Sequence, residues 1–219
     1  MKRFIIAIVS LFFLSINCIY SDDTVDRINN FWKFISENEE NIFALNNKNS
    51  TLYYEIFYKI QLINKNVYVM INNEITNNKK NLIITCNGNT LFFDLCDKIV
   101  NLAPNYKYLK PISLFPSLEK IEPFIFGNVV LKVEDVRVHF EKNNNKYDLL
   151  FLLSKEHLEI LQNDKNGQIY NLYMQMLFIM TQQILGERIV GEKIEDGNIS
   201  LVNLIIPSVP MSILGKYIK

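Results

Sequence analysis

The sequence predicts an α+β fold: a mainly antiparallel sheet with helices packed on one face, an arrangement that two ferredoxin-like halves would satisfy. Three observations lead there. Some segments repeat apolar residues at helical spacing and others alternate them, the alternating segments come in adjacent pairs, and Asn-rich or Gly-containing turns separate the members of a pair. Adjacent strands joined by tight turns form antiparallel hairpins, and the helices between hairpins cover their apolar face.

Residues 24–45 place Val25, Ile28, Trp32, Ile35 and Ile42 on one helical face, with Asp23 or Thr24 as cap, and this makes Trp32 a core residue. Ser50 precedes a second helix carrying Leu52, Tyr53, Ile56, Phe57, Ile60 and Ile63. The period then changes to two: Val67, Val69 and Ile71 alternate, Asn77-Asn78 turns the chain, and Leu82-Ile83-Ile84 reads as a more buried strand. Asn89-Thr90 caps a third helix in which Leu91, Phe92, Leu95, Ile99 and Leu102 share a face, and Pro104 stops it. Residues 106–116 are extended and contain Pro111, the mark of an edge strand.

Residues 128–132 and 136–141 read as strands, and Asn143-Asn144 folds the second back onto residues 147–153. A two-residue loop there opposes Phe140 to Tyr147, Val138 to Leu149 and Val136 to Phe151 on the core face. On the other face it opposes His139 to Asp148 and Glu141 to Lys146. Gln168 to Leu185 forms a long helix closed by Gly186, and its apolar residues occupy nearly every face, as in a central helix covered on both sides. Residues 187–194 and 199–206 complete the chain as a hairpin around Asp196-Gly197.

The chain has 219 residues, 49% of them hydrophobic, and its 23 basic side chains balance 23 acidic ones, which excludes a disordered tail or a strongly basic nucleic-acid binder. Met1-Lys2-Arg3 followed by the apolar run from Phe4 to Ile16 has the form of a secretory signal, too short to span about 30 Å of hydrocarbon. The expected organisation is a signal peptide over residues 1–21 and a single α+β domain over residues 22–219. Two cleavage sites stay open, one after Ser21 and one before Cys18, whose lipidation would make an envelope lipoprotein and give the protein its one membrane attachment. Without Lys2 and Arg3, 21 basic side chains face 23 acidic ones, so the mature charge is −2 and no polybasic patch exists to hold an anionic membrane. Cys86 and Cys96 lie in apolar patterns and read as buried thiols.

Phe31-Trp32-Lys33-Phe34, Glu37-Asn38-Glu39, Leu102-Ala103-Pro104, Glu134-Asp135-Val136 and Gln182-Gln183-Ile184-Leu185-Gly186-Glu187 occur in this order. Together they resemble a bacterial family of unknown function that opens on a Phe-Trp-aromatic helix and closes with a Leu-Gly-Glu turn before a final strand. The resemblance runs from about Phe31 to Ile206 and implies an α+β domain with no assigned activity. The leader and the Asn-rich insertions depart from the family pattern.

The residue types restrict the chemistry. Two histidines, His139 and His157, and no zinc-type ligand spacing leave no metal site to predict. Neither cysteine sits at a basic helix start that would activate it. Seven glycines with no phosphate-loop spacing argue against a nucleotide cofactor, and no cofactor is expected. The Phe-rich segment from Leu114 to Phe126 is apolar without period, as a partner-binding loop would be, and makes Phe115, Phe124 and Phe126 candidate contacts for a protein partner. The function expected from the sequence is therefore that of an exported, periplasmic or envelope-anchored domain that binds and does not catalyse. The alternative is a small hydrolase using His139 and Asp148 as an acid-base pair on the sheet face.

Overall fold

A computed structural model describes residues 23–46, 50–127 and 129–219. The signal sequence and Cys18 lie outside the described residues. The chain is α+β with antiparallel pairing dominant, as its patterning predicts. It divides into two compact units, one formed by the chain up to Asn87 together with Phe92–Ser113, the other by Gly88–Leu91 together with Leu114–Lys219. No helix among the described residues is long and apolar enough to cross a membrane.

In the first unit, helix α1 (residues 23–37) breaks at Asn38 and continues as α2 (Glu39–Ala44), so the single predicted helix is two. Its inward face is the predicted one: Ile28, Trp32, Ile35 and Ile42 are buried, and the Trp32 indole N–H donates to the Ile99 carbonyl at 2.8 Å. The Ser50 hydroxyl accepts from the Tyr53 N–H and starts α3 (Thr51–Gln61). Strands β1 (Tyr68–Thr76) and β2 (Lys79–Thr85) form the expected hairpin, with Asn77 and Asn78 both at positive φ, which Asn tolerates better than most residues. A 3₁₀ turn at Thr90–Phe92 then leads into α4 (Phe93–Asn101). That turn winds more tightly than an α-helix, so the buried face is Phe93, Cys96 and Ile99, while Leu91, assigned to it by the sequence pattern, is 84% exposed. Helix α4 carries the chain to β3 (Leu109–Ser113), an edge strand parallel to β2, in the order β1-β2-β3.

The second unit opens with a hairpin of β4 (Phe124–Phe126) and β5 (Val129–Leu131). A second hairpin pairs β6 (Val136–Asn143) with β7 (Lys146–Leu153), and α5 (Lys155–Gln162), α6 (Gln168–Leu185) and α7 (Glu187–Lys193) then lead to β8 (Ile194–Ile199). Strand β8 lies parallel to β7, and the two-residue β9 (Val209–Pro210) adds to β6, giving the order β8-β7-β6-β9. Neither sheet follows the βαββαβ succession of a ferredoxin-like half. Val136, Val138, Leu149 and Phe151 on the sheet and Tyr173, Met176, Leu177 and Met180 on α6 form one buried cluster. The opposite face of α6 carries the half-exposed Phe178 and Ile179, so this helix is covered on one side, where the pattern suggested two.

Two further expectations are corrected. The hairpin predicted over residues 187–206 does not form: Gly186, at φ 85°, ends α6 and Glu187 starts another helix. Asp196-Gly197, read as its turn, lies inside β8, and Gly197 is needed there because a Cβ would come within 3.1 Å of the Phe151 ring. The β6–β7 loop is Asn144-Asn145, with Asn144 at φ 56°, so Phe140 faces Leu149, His139 faces Leu150 and Glu141 faces Asp148. Each side chain keeps its predicted face and only its partner changes. In a run of three asparagines any of them can take the positive φ, so the turn does not choose the register. The observed one brings Leu152 and Leu153 into the ladder against Arg137 and Val136.

Candidate functional site

With α5, α6 and α7 packed on the core face, the other face of β6, β7 and β8 carries His139, Glu141, Asp148, Leu150, Asp196 and Asn198. Register fixes their neighbours: Glu141, Asp148 and Asp196 form a row across three adjacent strands, and His139, Leu150 and Asn198 form the next. Residues 200–208 run as a strap from β8 to β9. It is held at one end by the Ser200 N–H on the Phe151 carbonyl and by Gln162 on the Leu201 carbonyl. At the other end Arg137 grips Ser208 and His139 Nδ1 donates to the Pro207 carbonyl at 2.7 Å. Its middle is apolar and exposed, with Ile205 wholly in solvent at 102%. Ile206 and both rows of side chains border a cavity of about 440 Å³.

The sequence placed His139 and Asp148 on this face correctly and paired them wrongly. They are diagonal neighbours, and the second ring nitrogen of His139, Nε2, lies 3.2 Å from Glu141 on its own strand. The hydrogen bond to the Pro207 carbonyl, and after it the Glu141 carboxylate, raise the His139 pKa above its ordinary 6.5 because both favour the charged ring. His139 thus links the strap to the strand through Pro207, and its charged form is the one these contacts favour. It also relieves the like-charge opposition of Glu141 and Asp148, which the observed register creates.

The other histidine is enclosed. His157 Nδ1 lies 2.7 Å from the Tyr173 hydroxyl and Nε2 lies 3.4 Å from Asp135, which also accepts from the Lys132 N–H. Burial, and then the Glu156 and Asp135 charges, push the Tyr173 pKa up to about 12. The Asp-His-Tyr sequence resembles a catalytic relay, but both rings are buried, and the His157–Tyr173 contact ties α5 to α6. Among the described residues, no group of three or more His, Cys, Asp or Glu could hold a metal ion. Cys86 and Cys96 are both buried.

Of the apolar candidates, Phe126 is 60% exposed on the β4–β5 hairpin, whereas Phe124 and Phe115 are half-buried and Phe124 packs on the core cluster. The sequence missed their companions: Ile125 is 72% exposed, and Val130, its register partner, also faces solvent. The signal was available, since in a hairpin anchored by Leu131 the residues of alternate parity point outward.

A second cleft, of about 330 Å³, opens on the core side of β8 between Leu149, Phe151, Met174, Phe178 and Ile194, with Asp196 and Gly197 at its edge. No sequence pattern points to it, because β8 comes beside β7 only after three intervening helices. Comparison with known proteins adds no assignment: no family model matches the chain, and no curated protein or solved structure matches it.

Proposed function

We propose that this protein is an exported or envelope-anchored domain that works by binding a protein partner through its second unit and has no catalytic step of its own. The cationic start and apolar run of residues 1–16 support export. The observation that carries the binding reading is the β4–β5 hairpin, a two-stranded ribbon that presents Ile125 and Val130 to water on its outer side and Phe126 beside its turn. Large apolar side chains grouped on a small ribbon cost free energy in solvent unless a partner covers them. The test compares proteins recovered with the wild-type chain and with the Ile125→Asp, Phe126→Asp double variant from an envelope extract. The reading predicts a partner retained by the first and lost by the second. Identical sets would overturn it.

The hydrolase reading keeps one favourable observation, that His139 and Asp148 border the same cavity. It is less supported at the pair itself, since the ring nitrogens of His139 are engaged by Pro207 and Glu141 and not by Asp148. Binding is therefore the better account of this face.

A further inference from the structure

Where the two cavities of the second unit meet, at Asp196 and Gly197 on the edge strand β8, an apolar cleft adjoins a row of carboxylates. We propose that this edge is a docking site for a peptide segment of a partner protein, in which a bulky apolar side chain is followed by lysine or arginine. The proposal goes beyond the hairpin reading and uses different residues.

Three features select this occupant. The cleft is walled by Leu149, Phe151, Met174, Phe178 and Ile194, and its volume suits one large apolar side chain. Asp196 and Gly197 border both the cleft and the carboxylate face, so the β8 edge joins the two. From Asp196 the carboxylates continue through Asp148 to Glu141, one per strand at about 4.8 Å spacing, so negative charge extends away from the cleft across the sheet.

Of the three carboxylates, Glu141 has His139 beside it and the other two have no such cation. The nearby cations are committed: Lys146 pairs with Glu195, Arg137 holds Ser208 and His139 holds Glu141. Among the described residues, Asp148 and Asp196 have no ion-pair partner. The carboxylates are also not placed as metal ligands. Complementarity therefore calls for extended positive charge beside an apolar anchor.

The test titrates the full chain with the peptide acetyl-Gly-Phe-Lys-Lys-Gly-amide and follows backbone amide shifts. Saturable binding centred on residues 194–198 is expected, weakened about tenfold or more when Glu-Glu replaces Lys-Lys or when Ala replaces Phe. Asp148→Asn with Asp196→Asn should weaken binding to a similar extent and flatten its salt dependence, and Phe178→Ala should weaken it without changing the salt dependence. The hairpin variant Phe126→Asp should bind normally. Absence of saturable binding, equal binding of the Glu-Glu peptide, or indifference to the Asn substitutions would overturn the proposal while leaving the hairpin reading standing. Phenethylamine binding as tightly as the peptide would also overturn it, by assigning the edge to a small free amine.

Discussion

The two units are built on one plan and finished differently. Each folds an antiparallel hairpin turned by a pair of asparagines, then passes through helix into a third strand parallel to the second, giving the orders β1-β2-β3 and β6-β7-β8. In the first unit the middle strand is closed: Leu82, Ile83, Ile84 and Thr85 are successive and all buried, so both faces of β2 are covered. In the second, β7 alternates, with Leu149 and Phe151 buried and Asp148 and Leu150 between them only partly covered. A strand covered on both faces has no surface left for recognition. The difference closes β2 in the first unit and leaves β7 in the second with one open face.

Each unit also buries one charge, and these too differ. Glu187, wholly buried at the start of α7, accepts from the Gly88 and Phe115 N–H groups at 2.8 Å each, so its carboxylate ties two loop segments to the helix. Lys80, 2% exposed on β2, donates to the Leu45 carbonyl at 2.8 Å and lies over the Phe43 ring, and burial lowers its pKa. Glu187 supplies two part-buried donors with a charged acceptor. The Lys80 ammonium meets a carbonyl with a second lone pair and an aromatic face, so less depends on it.

The closed-core comparison is tested hardest at Trp32. Replacing it with alanine should destabilise the first unit by about 3–5 kcal/mol in denaturant unfolding, since the change empties a buried aromatic site and removes the hydrogen bond to the Ile99 carbonyl. An unchanged midpoint would mean that the unit is not closed there. Glu187→Ala should cost the second unit about 1–4 kcal/mol, because two part-buried N–H groups lose a charged acceptor. Lys80→Met, similar in volume and free of charge, should stay within about 1.5 kcal/mol of wild type in either direction, and a loss as large as that at Glu187 would erase the contrast between the two buried charges.

The smallest effect concerns the strap. A folded pKa raised above 6.5 means that the His139 contribution is complete below pH 6.5 and is lost as pH rises through the raised value. Stability of the second unit should thus fall by less than about 1 kcal/mol across that window, and His139→Gln should remove the dependence. A dependence that persists in the variant belongs to another group.

Much of this was readable where one local rule decided the outcome. The Asn77-Asn78 turn, the Ser50 cap, the inward placing of Trp32 and the Gln168–Leu185 limits of α6 follow from turn chemistry, capping and period. Rules of similar strength collided elsewhere. Ile189 and Val190 fit a strand as well as a short helix, and the backbone turn at Gly186 decided for the helix. Gly197 reads as a turn residue until the Phe151 ring beside it is known. The site was half legible for the same reason: parity puts His139 and Asp148 on one face, whereas their partners depend on which asparagine turns the chain. Asp196 joins the row through a parallel pairing that no local pattern encodes.

The central claim is that partner contact belongs to the second unit and that the first is closed. Its most direct test places a photo-reactive amino acid at Phe126 in one strain and at Tyr58, equally exposed on α3 of the first unit, in another, and irradiates intact cells. The account predicts a discrete cross-linked adduct of higher mass from position 126 and none from position 58. An adduct from position 58 alone, or from neither position, would contradict it.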